Sequence, residues 1–307
     1  MTENKELKES IFRRIFYSKL FFILFMLAPM LLHLLIFWAG VQVEFISLAF
    51  IDADTGTFSF INFINLFQNL LTGAGDLSVL PESLKNTFLF FMIGILQIPL
   101  YLFFAYMLYK QMFGYKFVRL AMYLPHMIST LMMAIMFQQL LMTDGPVITF
   151  FNGTLGLNIP TPIIMNFPLV EIAFFDIWIG MGANLVLWMG AMGRIPRELL
   201  ECGELEGVTP VQEFIKIIFP LIYPTFTTFI TLSFVNILSA SGSILIFTEG
   251  NYGTNTLSFW LWNVAYKGRT DQYGISSALG LVMCIVTIPL VYLGRKFINR
   301  FGGEVEY

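Results

Sequence analysis

Charge is scarce in this chain. Only 12% of its 307 residues are Asp, Glu, Lys or Arg, whereas 57% are hydrophobic and 17% are aromatic, and the mean hydropathy is +0.76. A soluble domain normally carries about twice that share of charged residues. The composition therefore excludes an ordinary soluble protein and predicts a membrane protein.

Cysteine and histidine are almost absent, with two residues of each. Cys202 lies in a hydrophilic stretch and Cys284 in an apolar one, so we expect neither a disulfide nor a cysteine-based metal site. His33 and His126 lie in or beside apolar runs without metal-ligand spacing, and we expect buried, hydrogen-bonded side chains there. The sequence thus predicts no metal site.

Long hydrophilic segments are also missing. The longest hydrophilic insert has about 40 residues and is itself half apolar, and no G-x-x-x-x-G-K-[ST] phosphate-binding loop occurs. We therefore expect no nucleotide-binding domain, no cofactor and no nucleic-acid partner. An intramembrane enzyme is disfavoured, because no His/Asp/Glu or Ser/Lys cluster has a credible spacing.

Six apolar runs are long enough to cross a bilayer as helices, which takes about 20 residues each. Because they do not alternate apolar and polar residues, they do not suit a transmembrane β-barrel. The predicted spans are residues 20–41, 87–109, 118–142, 167–192, 221–247 and 275–293. We predict an all-α membrane protein with one transmembrane domain at 20–297, preceded by a segment at 1–19 and followed by a tail at 298–307.

Positive charge is distributed unequally among the segments that connect these runs. Of the 17 Lys and Arg residues, only Lys85, Lys267 and Arg269 lie in the connections after runs 1, 3 and 5. Of the other 14, 13 lie in the two terminal segments and in the connections after runs 2 and 4, and Arg119 lies at the start of run 3, next to the connection after run 2. Since Lys and Arg of short loops remain cytoplasmic, we predict that both termini and the loop at 194–220 are cytoplasmic.

The loop at 194–220 holds five glutamates in a chain that is otherwise poor in charge. Glu198, Glu201 and Glu204 recur at helical spacing in a predicted helix over 197–206. A helix lying on the anionic cytoplasmic face of a membrane would favour Lys and Arg instead. The acidic pattern therefore favours a protein partner that carries basic residues.

Local signals predict a rigid corner in this loop. Gly207 suits the position after a helix that needs a positive φ angle. Thr209, Pro210 and Gln212 match the capping box, in which a threonine hydroxyl and a glutamine side chain satisfy each other's backbone N–H groups. We therefore predict a second helix that begins at Pro210 and runs toward the membrane.

The same loop resembles the EAA motif of permease subunits of binding-protein-dependent ABC importers. That motif reads E-A-A, three residues, G, nine residues and I-x-L-P. Its Glu, Gly, Ile and Pro correspond in register to Glu201, Gly207, Ile217 and Pro220. The departures from the motif are Cys202 and Gly203 in place of the alanines and Phe219 in place of leucine.

Weaker features resemble the carbohydrate, maltose-type class of that family. The stretch IPREL at 195–199 is similar to its I-P-x-E-L prelude, and the N-T pair at 86–87 is similar to the pair that opens its second helix. The resemblance covers residues 20–297, and its specific part is the stretch from Glu201 to Pro220.

The resemblance implies a six-helix importer permease bundle in a bacterial inner membrane, with a cytoplasmic coupling helix between helices 4 and 5. It implies that this helix sits in a cleft of an ABC ATPase dimer, which would use ATP and Mg²⁺. It further implies a second homologous permease and an extracellular or periplasmic binding protein. The coupling residues implied are Glu198, Glu201, Cys202, Gly203, Glu204, Gly207 and Pro220.

Two polar stripes mark a candidate substrate pathway. Asp176, Gly180 and Asn184 share one face of the fourth run, and Asn236, Ser239 and Ser243 recur along the fifth. Small polar residues often serve helix packing, which is the favoured interpretation for the two serines. For Asp176 and Asn236 we favour the pathway, because the resemblance places substrate-lining positions on these two helices.

A sugar site also needs an aromatic face, which Trp178 or Phe234 could provide. Glu171 lies near the outer end of the fourth run, where we expect it to reach the interface. The alternative function is an ion-coupled secondary transporter with Asp176 or Glu171 as its coupling site, because ionisable groups inside a membrane run are costly and commonly functional.

Overall fold

The computed structural model describes residues 19–53, 55–73, 77–236 and 242–300. Within these ranges the regular structure is helical, apart from one isolated antiparallel bridge between Ile51 and Phe58. The α-helices are α1 (Lys19–His33), α2 (Gly40–Ala49), α3 (Ile61–Thr72), α4 (Leu80–Tyr109), α5 (Tyr115–Met127), α6 (Thr130–Leu141), α7 (Pro146–Thr149), α8 (Ile163–Asn166), α9 (Pro168–Met192), α10 (Arg197–Leu205), α11 (Pro210–Glu213), α12 (Phe219–Asn236), α13 (Gly242–Phe247), α14 (Leu257–Tyr266) and α15 (Tyr273–Asn299).

Short turns of wider or tighter helix join several of these elements without a break. The wider, π-helical turns are Leu34–Ala39, Phe150–Thr154 and Phe214–Ile218, and a 3₁₀ turn covers Thr270–Gln272. Six helical segments of the described chain are long and apolar enough to cross a membrane: Phe22–Ala49, Leu80–Tyr109, Thr130–Thr154, Pro168–Met192, Pro210–Asn236 and Thr270–Asn299. The predicted all-α membrane protein with six spans is confirmed.

The third predicted span, at 118–142, is wrong in its bounds. The run divides into α5 and α6, because Ile128 and Ser129 adopt extended ψ angles of 152° and 131°. Pro125 near the end of α5 lacks an N–H and leaves the carbonyl of Ala121, four residues earlier, without its helical donor. The indole N–H of Trp178 on α9 donates to that carbonyl at 3.1 Å.

The fifth span begins in the loop that precedes the predicted run. The helical path continues from Pro210 through the π-helical turn to Asn236. Pro220 lies two residues after the π-helical turn, and prolines and π-helical turns are both places where a helix bends. The short helix α13 follows, and residues 237–241 lie outside the described part of the chain.

The described chain forms two compact units. The first comprises residues 19–65 and 270–281. In it, the buried amide nitrogen of Asn62 lies 3.3, 3.2 and 2.9 Å from the carbonyl oxygens of Leu48, Ala49 and Ile51, which share its two N–H donors. These contacts fasten α3 to the end of α2.

The second unit comprises residues 66–269 and 282–300. Its main core lies where α4, α9 and α12 meet, and Trp188, Leu185 and Leu108 are almost fully buried there. The Trp188 ring stacks on Phe229 at 4.4 Å between centroids. A second core cluster joins α6, α9, α13 and α14 through Phe137, Phe175, Phe247 and Phe259.

The connection after the fifth span is bonded to α4 and packs inside the second unit. Phe259 and Trp260 of α14 are 1% and 6% exposed, so this face of the helix packs inside the second unit. The amide of Asn86 donates to the carbonyls of Gly253 and Asn255 at 2.7 and 2.8 Å. The backbone N–H of Leu257 donates to the neighbouring Thr87 hydroxyl at 2.9 Å, so the N-T pair holds this connection onto α4.

The two histidines also differ from expectation. His33 and His126 are both exposed, and the His33 ring lies 5.1 Å from the Phe37 ring. The apolar neighbours of His33 along α1 are exposed as well. The position of a histidine in an apolar run therefore does not show that its side chain is buried within the chain.

Candidate functional site

The 194–220 loop ends its first helix in a complete Schellman motif. Gly207 has a φ angle of +75°. Its N–H donates to Glu204 O, and the N–H of Val208 donates to Gly203 O, both at 3.1 Å. These are the two bonds that satisfy the last carbonyls of a helix when the next residue is left-handed, so the predicted turn at Gly207 is confirmed.

The second helix of the loop begins with the predicted capping box. The backbone N–H of Gln212 donates to the Thr209 hydroxyl at 3.4 Å, and the backbone N–H of Thr209 donates to Gln212 Oε1 at 3.1 Å. Pro210 occupies the first helical turn, where its missing N–H has no partner to lose. Both helices are therefore fixed at the corner by local bonds.

An ion-pair cluster fastens the loop to the end of α4. Lys110 Nζ lies 3.0 Å from Glu213 Oε1 and 3.3 Å from Glu204 Oε1. The hydroxyl of Tyr106 donates to Pro210 O at 2.9 Å, and its ring lies 5.0 Å from that of Phe214. These contacts hold the loop against the end of α4.

Lys110 sits in an environment that favours its charged form. Partial burial lowers the pKa of Lys110, but the hydrogen bonds and charges of Glu213 and Glu204 outweigh burial, and the net pKa is raised. Lys110 is therefore protonated throughout the neutral range. The charged Lys110 side chain provides the counter-charge that the buried Glu213 carboxylate needs.

The outer face of α10 is acidic and accessible. Glu198, Glu201 and Cys202 are exposed, and Leu205 is 88% exposed. Gly203 instead faces inward and is buried. A Cβ atom at Gly203 would lie 2.8 Å from Ile217 Cδ1, so the close approach at this glycine is to the same chain.

The fourth span carries a polar face, as predicted. Asp176 on α9 is half-buried, and its Oδ1 accepts a hydrogen bond from the Ser243 hydroxyl on α13. Among the described residues, Asp176 accepts this one hydrogen bond. A carboxylate has about four acceptor positions. Asp176 thus retains capacity to bind hydroxyl groups.

Gly180 lies beneath a tyrosine of α4. A Cβ atom there would lie 3.0 Å from the hydroxyl of Tyr101. That hydroxyl donates to Ile177 O at 2.9 Å and lies 3.0 Å from Gln97 Oε1. The Asn184 amide donates to Gly180 O at 2.8 Å, so the stripe is a layer of polar groups that continues onto α4.

The fifth-span candidates do not form one described face. Asn236 is exposed at the end of α12, Ser243 lies on α13, and Ser239 lies outside the described residues. Of the two aromatic candidates, Trp178 uses its indole N–H on Ala121, and Phe234 lies 5.4 Å from Phe91 between ring centroids. The structure therefore brings Ser243 to Asp176, whereas Asn236 ends a separate helix.

The expectation that Glu171 reaches the interface is wrong. Its side chain is only 4% exposed, and its Oε2 atom is buried without a hydrogen-bond partner among the described residues. Glu171 lies in the first turn of α9 and lines a cavity with the residues that follow α6. Packing from the segments around it, which no local pattern indicates, produces this burial.

Lys110, Glu213 and Tyr106 are site residues that were missed from the sequence. In the sequence, Lys110 contributes only to the prediction of which side of the membrane each loop faces. It directly follows the second span, where a basic residue can meet a neighbouring acidic loop. More than 90 residues separate Lys110 from its partners along the chain, and only the fold shows that they meet.

Comparison with known proteins gives relatives of one kind. Matches include the multiple sugar-binding transport system permease protein MsmF of Streptococcus mutans, 24% identical over 89% of this chain and 94% of the relative. The arabinooligosaccharides transport system permease protein AraP of Bacillus subtilis is also 24% identical, over 97% of this chain and 95% of the relative. The homologues of this chain are thus permease proteins of sugar transport systems. The predicted resemblance to carbohydrate permeases is thereby confirmed, although no family model matches the chain.

Solved structures share the fold. A chain of a bacterial ABC transporter involved in the import of the acidic polysaccharide alginate matches with a TM-score of 0.78 and 21% identity, over 96% of this chain and 99% of the other. A chain of the bacterial alginate ABC transporter in complex with an alginate pentasaccharide-bound periplasmic protein gives 0.77 and 22%, over 92% and 95%. The chain therefore shares its fold with these chains of ABC transporters.

Proposed function

We propose that the chain is a permease subunit of an ATP-driven ABC importer, which translocates a sugar or oligosaccharide by alternating access. The observation that carries the proposal is the acidic helix α10, which is exposed on one face and fixed to α4 by Lys110. A rigid, exposed and acidic helix suits a protein partner with basic residues. The sugar class is supported by the names of the relatives.

The partners follow from this function. Two cytoplasmic ATPase subunits would hydrolyse ATP with Mg²⁺ and receive α10, and both termini would be cytoplasmic. A second, homologous permease would complete the pathway, since one six-helix bundle forms half of it. An extracellular or periplasmic binding protein would deliver the substrate, as the complex with a periplasmic protein supports by similarity of fold.

The proposed pathway runs along Asp176, Gly180 and Asn184 of α9, with Ser243 of α13 beside Asp176 and with Asn236 at the end of α12. Sugar hydroxyls need acceptors and donors in a largely apolar setting, and Asp176 retains unused acceptor positions. Met192, at the end of α9 next to the loop, is 16 residues from Asp176, or about 24 Å of helix. ATPase coupling and substrate binding would therefore be separate functions of one rigid helix.

Reconstitution in proteoliposomes tests the proposal. Sugar uptake should require ATP, the ATPase subunits and the binding protein. Glu201→Ala should lower uptake about tenfold or more, because a charged contact at an interface centre is lost, whereas Glu206→Ala at the helix end should stay within about twofold. Asp176→Ala should weaken stimulation by substrate without releasing the ATPase, and Ser243→Ala should do so less.

Two outcomes would contradict the proposed function. Uptake driven by a proton or sodium gradient without any ATPase would establish the ion-coupled alternative. Normal transport and normal ATPase co-purification in Glu201→Ala would remove the coupling role of α10.

A further inference from the structure

A cavity of about 800 Å³ lies at the end of α9 that is remote from the 194–220 loop. It is lined by residues 138–146, by Pro162, Ile164 and Met165, and by Glu171. Since α9 has 25 residues, about 37 Å of helix separates its two ends. Neither Asp176 nor any residue of the loop lines this cavity, which is therefore distinct from both sites described above.

Glu171 provides the reason to regard the cavity as a binding site. Its Oε2 atom is buried and has no donor among the described residues. A carboxylate oxygen that loses its hydration without gaining a hydrogen bond is costly to keep. The position of Glu171 therefore indicates an occupant that supplies the missing donor.

The surroundings of Glu171 favour a positively charged occupant. Asp144 is a second carboxylate in the lining. Residues 138–141 of the lining form the last turn of α6, which is the negative end of that helix. No Lys, Arg or His occurs among the residues that line the cavity. Every charge at this site thus has one sign.

The size and composition of the cavity select an organic cation rather than a metal ion. The described residues contain no group of three or more His, Cys, Asp or Glu that could hold a metal, and the volume far exceeds that of a single ion. Leu141, Pro146 and Ile164 form an apolar wall beside the carboxylates. A lysine or arginine side chain has an apolar stem for such a wall and a charged head for Glu171.

We propose that this cavity receives a lysine or arginine side chain of the substrate-binding protein, which forms an ion pair with Glu171 when that protein docks. The inference rests on the proposed function, under which the end of α9 remote from the loop faces outward. The ion pair would orient the docked protein over the entrance to the bundle, at the end opposite the ATPase.

The test measures docking directly. The complete transporter is placed in nanodiscs, and its fluorescently labelled binding protein is titrated at several salt concentrations. Glu171→Gln should weaken binding about tenfold or more, because the partner's charge would be left unpaired. The salt dependence of the affinity should become flatter, because one charge pair is lost.

Glu82→Gln is the matched control. Both glutamates lie in the first turn of a long apolar helix, but Glu82 is exposed and lies outside the cavity. Its substitution should change the affinity by less than about twofold. If Glu171→Gln and Glu82→Gln give the same affinity and salt dependence as the unmodified protein, the proposal is overturned.

A second variant covers the case in which Glu171→Gln prevents assembly. Asp144 is exposed at the same cavity, and Asp144→Lys should weaken docking by placing a like charge there. Unchanged docking by Asp144→Lys would then overturn the proposal. Unchanged docking with a raised substrate requirement in Glu171→Gln would assign the cation to the substrate instead, which also overturns it.

Failure of the proposed function would look different. In that case the unmodified transporter itself would neither bind the binding protein nor hydrolyse ATP faster in its presence. The inference about Glu171 fails only when the unmodified protein docks and Glu171→Gln docks equally well.

Discussion

At the scale of single residues, Lys110 joins the membrane bundle to the proposed coupling loop. Its side chain is 24% exposed and contacts the buried Glu213 and the exposed Glu204. A buried carboxylate that loses its counter-ion is strongly destabilising, whereas an exposed pair contributes little. The contact with Glu213 is therefore the one that matters for the position of the loop.

We predict that Lys110→Met loosens the loop by roughly 2 kcal/mol, which is less than the loss for a fully buried pair because Lys110 keeps some solvent contact. Hydrogen exchange of the amides at 197–213 should increase accordingly. Lys116→Met, which removes another exposed lysine nearby, is the control and should leave exchange unchanged. Equal exchange in the two variants would contradict the anchoring role.

The pH dependence of this anchoring follows from the raised pKa of Lys110. A group whose folded pKa lies above its unfolded value contributes fully below the unfolded value, about 10.4 for lysine. The contribution is lost as the pH rises through the folded pKa. After correction for the intrinsic pH dependence of amide exchange, the protection of the loop amides in the unmodified protein should therefore change little between about pH 6 and 9.

At the scale of elements, the loop was predictable and the bundle contacts were not. Gly207 and Thr209 act within a few residues of their partners, so the sequence alone indicated the Schellman turn and the capping box. The break between α5 and α6 depends on Pro125 and on Trp178, which lies more than 50 residues away from the carbonyl it satisfies. Hydropathy cannot distinguish such a break from a simple kink.

The packing of α10 on the following helix gives the prediction at this scale. A side chain at Gly203 would meet Ile217, so Gly203→Val should displace α10 at a cost of roughly 1–3 kcal/mol and weaken ATPase retention. Gly190→Val is the matched control, because a Cβ atom at Gly190 has no neighbour within 4 Å. Ile217→Ala should restore retention to Gly203→Val, and failure of that rescue would count against the contact.

At the scale of the whole molecule, helix count and fold followed from composition and run length, whereas burial did not. The face of α14 around Phe259 packs on α6 and α9, which are distant in the chain, and no pattern in the surrounding sequence indicates that Glu171 is buried. Exposed apolar side chains cover the first span, from Phe22 to Trp38, as expected where lipid or another subunit replaces water. Orientation remains a prediction from the distribution of Lys and Arg.

The two native cysteines allow that orientation to be measured without new substitutions. Cys202 and Cys284 are both exposed, but Cys284 lies within the apolar span Thr270–Asn299, where a charged reagent does not penetrate. A membrane-impermeant maleimide should therefore label only Cys202, and only from the cytoplasmic side. Bound ATPase subunits should slow this labelling at least about tenfold, because interface cores exclude solvent. Cys202→Ser should remove the signal, and labelling of Cys202 from the outside of intact cells would reverse the proposed topology.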